Sequence, residues 1–164
     1  MNGGRFYMAA PPYDEVKEIV EFRLNQTHEL LEEFEYELHK CNPEEFYAFL
    51  LGDTIANKRV TVRDIMGSEY LMLHVAVEIS EFIKMGIEIG KKTVSGNPPE
   101  QVYEAHLKAA DYEMGYALLL EDYYWMKHRL GYLVRMIEGD EDLPEVLKPA
   151  AIQIYESFKP YMDY

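Results

Sequence analysis

At 164 residues and 48% hydrophobic content, the chain is long enough to bury a substantial core and too apolar to be disordered throughout. Its net charge of −14, from 30 acidic against 16 basic residues, argues against nucleic acid or an anionic membrane as partner, since both are bound by basic surfaces. A cation, a basic protein or a neutral ligand stays open.

The single Cys41 excludes an internal disulfide and a thiolate metal motif, which suits a reducing compartment. The first residues lack the apolar core of a signal peptide, and no apolar run approaches the ~18–20 residues of a membrane span. A cytoplasmic protein is expected.

Residues 1–12, with Gly3-Gly4 and Pro11-Pro12, read as a flexible arm ahead of a single helical domain over 13–164. From Tyr13 to about Lys40, Val16, Val20, Leu24, Leu31, Phe34 and Leu38 recur at helical spacing. His28, Glu32, Glu35 and His39 follow one edge of that stripe and read as a solvated acidic face. The run Asn42-Pro43-Glu44-Glu45 is a helix start, with Asn as cap, Pro in the first turn and Glu reaching back. That helix points Phe46, Phe49 and Leu50 inward and loosens at Gly52-Asp53. Asn57-Lys58-Arg59 is a polar connector, and Thr61 with Asp64 marks the next start.

The third long helix is predicted from Val62 to Lys92, bent at Gly67-Ser68. It is apolar nearly all round from Leu71 to Ile83, which puts it in the middle of a bundle. Its polar exceptions align: His74, Glu78 and Glu81 stand at i, i+4 and i+7.

Asn97-Pro98-Pro99-Glu100 repeats the start signal and opens a helical stretch to Glu138. On a wheel of about 100° per residue this stretch carries two polar stripes. One, with Glu104, Lys108, Asp111, Asp122 and Arg129, reads as surface. The other is His106, Glu113, Glu121, His128 and Arg135, flanked by apolar residues on both sides. An unbroken rod of this length would run roughly 60 Å, against roughly 40 Å for a compact chain of this size. A bend at Gly115 or Gly131, or an end protruding into a dimer, is therefore expected. After Gly139 the acidic turn leads to a last segment, where Pro149 should kink or restart a helix carrying Ile152, Ile154, Tyr155 and Phe158.

The fold expected is all-α, a mainly antiparallel bundle of four long helices plus one short one. A short turn at 93–97 makes the third and fourth long helices antiparallel neighbours, with level residues whose numbers sum to about 191. Glu78 then faces Glu113, and His74, Glu78, Glu113 and Glu121 share one layer with Glu81 a turn away. His74, Glu78 and Glu113 are the candidate ligands of a divalent metal, with Glu81 or Glu121 as general base. His128 falls outside the layer, and His28 and His39 are weaker candidates. The same stripes could instead face solvent or a second subunit.

The spacings His74-xxx-Glu78 and His106-xxxx-Asp111 are similar to those of hemerythrin-like bundles, but no His-xxx-His pair lies between them. The Glu-xx-His of ferritin-like bundles is absent from both long helices. Glu78-Ile79-Ser80-Glu81 echoes the Glu-xx-Glu of all-helical nucleotide pyrophosphatases without their Glu-xx-Asp helix. No family is assigned on these grounds. Fourteen tyrosines suit either helix-packing positions with wet phenol tips or subunit contacts. Two leading functional readings follow, with a buried ligand pocket lined by tyrosines as a third. The first is a non-catalytic interaction, assembly or maturation-helper protein, acting as a homo-oligomer or on a protein partner. The second is a metal-dependent enzyme acting on a small substrate or a phosphate ester.

Overall fold

The computed structural model describes residues 10–53 and 60–163. Most of the expected arm and the connector at Asn57-Lys58-Arg59 lie outside them. Seven α-helices and no strands occur among the described residues: α1 Tyr13–Glu33, α2 Pro43–Leu50, α3 Val62–Met66, α4 Glu69–Lys84, α5 Pro99–Leu119, α6 Tyr123–Gly139 and α7 Lys148–Phe158. The fold is all-helical, as the periodicity implies.

Two of the helix starts form as their sequences predict. Asn42 and Glu45 make a reciprocal capping box at α2, with bonds of 3.0 and 2.8 Å. Thr61 and Asp64 do the same at α3. The bend at Gly67-Ser68 is a break, and the Ser68 hydroxyl caps α4 through the Leu71 amide. The third start behaves differently. Asn97 does not cap α5; its side-chain amide donates to the Thr93 carbonyl at 2.7 Å, and α5 begins behind Pro98. Pro149 sits in the first turn of α7, after a 3₁₀ turn at Glu145–Leu147.

The helix ends depart most from the expected spans. α1 stops at Glu33 rather than near Lys40, α4 stops at Lys84 rather than Lys92, and the 97–138 rod breaks at Leu120–Asp122. Gly115 and Gly131 lie inside α5 and α6, and the break falls between them. All three ends use the same device. A residue just past the helix turns left-handed, and the next amide reaches back to a carbonyl five residues earlier. These bonds are Tyr36 to Leu31, Ile87 to Phe82 and Asp122 to Ala117. The left-handed residue is Gly86 at α4, but Glu35 (φ 58°) at α1 and Glu121 (φ 56°) at α5.

α4 is the central helix, buried almost continuously from Met72 to Ser80. It packs most extensively on α5, and also on α1 and α3. Side-chain pairs Glu69–Tyr116, His74–Glu113 and Glu78–His106 show that α4 and α5 run antiparallel. α6 folds back along α5, because Trp125 and Arg129 meet Glu113 while Tyr103 meets Asp140. The connection from α4 to α5 is held against the end of α2 at Gly52, where any Cβ would stand 2.4 Å from the Lys91 carbonyl. Phenol tips tie helices together: Tyr70 to Asp122, Tyr103 to Asp140 and Tyr116 to Glu69. No helix among the described residues is long and apolar enough to cross a membrane.

A side chain with a Cβ costs about 1 kcal/mol in the left-handed region where glycine costs nothing. Glu35→Gly and Glu121→Gly should therefore each raise the unfolding free energy by roughly 0.5–1 kcal/mol. Urea titrations would show this as a higher midpoint at unchanged slope, whereas a lower midpoint for either variant would contradict the cap assignment.

Candidate metal centre

Glu113 projects from α5 into the space between α4 and α6 and is fully buried. A carboxylate taken out of water costs several kcal/mol unless charge and hydrogen bonds replace its hydration. Here the replacements are complete. Arg129 grips it along one edge, Nε at 2.7 Å from Oε2 and Nη2 at 3.1 Å from Oε1. The Trp125 indole donates at 2.7 Å, and His74 Nδ1 lies 2.8 Å from Oε1. Burial pushes the Glu113 pKa up, but His74 and Arg129 outweigh it and hold the carboxyl below its usual range. Trp125 is itself held by stacking on Tyr70, with ring centroids 4.7 Å apart. The Tyr70 hydroxyl bonds Asp122, which caps α6.

Because Glu113 accepts from His74 Nδ1–H, the other ring nitrogen of His74 points away from it. That Nε2 lies 3.2 Å from His106 Nδ1 and 3.7 Å from Glu78 Oε2, and His106 Nδ1 lies 3.0 Å from Glu78 Oε2. Two imidazoles and one carboxylate, all buried, thus converge on one point. Burial raises the Glu78 pKa, but bonds from His106 and His74 prevail and hold it well below the usual range. Burial lowers that of His74, yet Glu113 and Glu78 together hold it above its ordinary value.

Three atoms at these separations lie on a circle of radius about 1.9 Å. A first-row divalent ion bonds His nitrogen and carboxylate oxygen at about 2.0–2.2 Å, so His74, Glu78 and His106 are spaced to hold one, and it would supply Lewis-acid chemistry there. Such an ion would keep open coordination positions on one side. The same three residues border a cavity of about 90 Å³ whose walls include Phe49, Ile65, Leu71, Val75 and Val94, with Arg129 and Asp53 as its other charged groups among the described residues.

The sequence-predicted residues separate clearly. His74 and Glu78 come together as expected. Glu113 joins them, but as the carboxylate that orients His74, since both its oxygens are occupied by His74, Trp125 and Arg129. The third converging group is His106. The expected register placed it too far along, because α4 was taken to reach Lys92. With α4 ending at Lys84 and α5 starting at Pro99, level residues have numbers summing to about 183, which brings His106 opposite Glu78. Gly86 was the signal for that earlier end.

Neither expected general base reaches the cluster. Glu121 is exposed in the left-handed corner between α5 and α6. Glu81 bonds the Tyr36 hydroxyl and lies 2.9 Å from Lys84. Burial raises its pKa, but these two partners hold it below the usual range, which makes it a weaker base. Arg129 and Asp122, read as surface, are parts of the supporting shell, and the break at Leu120–Asp122 is what carries them there. His128 and Arg135 are exposed and pack on the Tyr132 ring.

No protein-family model matches the chain, and no curated protein or solved structure is significantly similar to it.

His28, on α1, is buried outside this cluster. Burial, reinforced by nearby Lys40, pushes its pKa down to about 4. The unfolded chain takes up that proton near pH 6.5, while the folded chain resists until far lower pH. The protein therefore loses stability as pH falls from 6.5 toward 4 and gains nothing above 6.5 from this residue. His28→Gln should lose roughly 1–2 kcal/mol less than the parent between pH 7 and pH 5, read from urea unfolding at each pH.

Proposed function

We propose that the protein is a metal-dependent enzyme whose His74, Glu78 and His106 hold one first-row divalent ion. The observation that carries this reading is the triangle of ligand atoms beside a cavity, with His74 held by Glu113. Structural sites close their coordination shell, whereas three protein ligands with an open side are the pattern of catalytic ones. A carboxylate on the far nitrogen of a ligand histidine fixes the ring and makes it a better donor. Two imidazoles among three donors favour zinc, iron, manganese or cobalt over calcium or magnesium.

Such an ion lowers the pKa of bound water and makes hydroxide available near neutral pH. Asp53 is the further carboxylate lining the cavity among the described residues, and it takes the part of proton acceptor in place of Glu81 and Glu121. Protein purified without chelator should contain one such ion per chain by elemental analysis. His106→Ala and Glu78→Ala should lose it. Glu113→Gln should retain it with affinity roughly 10–100-fold weaker. A wild-type chain that stays metal-free when offered all four ions removes the proposal.

An interaction or assembly role keeps one observation in its favour. Leu119, Leu120 and Tyr124 are 66%, 50% and 84% exposed at the α5–α6 corner, close together in the chain. Apolar groups so placed suit a subunit contact. If the corner joins two copies, light scattering should report a dimer for the parent and a monomer for Leu120→Glu. A monomeric parent would end that reading.

A further inference from the structure

We infer that the ligand of this centre is a small monoanionic carboxylate with a short aliphatic tail, an inference that rests on the metal reading above. The first argument is charge. A divalent ion with one carboxylate and two neutral imidazoles keeps one positive charge. Glu113 does not cancel it, because Arg129 already matches Glu113. In a cavity walled by Phe49, Ile65, Leu71 and Val75 that charge is poorly solvated, so the site favours one negative oxygen ligand. Asp53 at the cavity is exposed and hydrated, which weakens its neutralising effect. A second negative charge, such as that of a phosphate monoester, finds no matching positive charge left on the ion.

The second argument is geometry. Glu113 occupies the Nε–Nη2 edge of Arg129, and Arg129 is also among the residues that line the cavity. A carboxylate bound through one oxygen keeps a second charged oxygen to accept from a cationic wall residue, whereas a neutral ligand gains less from that wall. The third argument is size. A volume of about 90 Å³ holds about three water molecules, or a branched tail of a few carbons behind the carboxylate. The apolar walls then reward each buried methylene about fourfold in affinity.

The test loads the metal-free full-length chain with Co(II) and follows its visible spectrum during titration with acetate, isobutyrate, octanoate and methyl phosphate. Isobutyrate should perturb the spectrum at roughly tenfold lower concentration than acetate, and octanoate and methyl phosphate should bind more weakly than isobutyrate. Leu71→Phe, which narrows the cavity, should keep the Co(II) spectrum and lose the preference for isobutyrate over acetate. The wild-type series decides the question even if that variant does not fold. Uptake of Co(II) with no response to carboxylates, or with methyl phosphate bound more tightly than isobutyrate, overturns this inference and leaves the metal centre standing. Failure to take up Co(II) overturns both.

Discussion

A carboxylate with no access to water must find its counter-charges within the protein, and Glu113 finds them on two neighbouring helices. His74 comes from α4, and Trp125 and Arg129 come from α6. No pairing of two helices satisfies it. α6 must turn back along α5 to deliver the guanidinium, and α4 must lie antiparallel to α5 at one register to deliver the imidazole. Removing Arg129 would strand an uncompensated charge, which costs more than an ordinary core contact contributes, and removing His74 would take a donor from one buried carboxylate oxygen. The position of three helices is therefore coupled to one ionised group.

That coupling also aims His74. With its Nδ1–H committed to Glu113, its remaining nitrogen faces His106 and Glu78, and the three atoms stand at ligand spacing. In the metal-free protein the same groups neutralise one another, through hydrogen bonds that hold Glu78 low and His74 high. A metal ion would take over the role of the shared protons, so binding is expected to release them. One network thus serves both as a structural keystone and as the support of a candidate reactive centre. Its outer members, Tyr70 and Asp122, hold Trp125 and the start of α6 in place.

The capping device at the three helix ends explains how this geometry arises. Each end turns the chain within a few residues by placing one residue in the left-handed region. At α4 that residue is Gly86, so the chain leaves the helix there and the connection at 85–98 sets the α4–α5 register. At α5 it is Glu121, and the sharp reversal there converts one long rod into the α5–α6 hairpin that closes over Glu113. Gly52, against the Lys91 carbonyl, then anchors the α4–α5 connection to the end of α2.

The amino-acid sequence by itself determined the all-helical class, the capping boxes at Asn42 and Thr61, the central place of α4, and the alignment of His74 with Glu78 and of His106 with Glu113. These are local properties, set by side chains within a turn or two of each other along one helix. Only the tertiary structure decided that His106 comes together with His74 and Glu78, that Glu113 is taken up by His74, Trp125 and Arg129 rather than converging with that cluster, and that the Arg129 side chain is largely covered. Those outcomes depend on where α4 and α5 end. The α4 end is marked by Gly86, one of ten glycines in the chain, but the α5 end rests on Glu121, which gives no glycine signal, and there the tertiary contacts of the helices on either side outweigh the local cost of the left-handed residue.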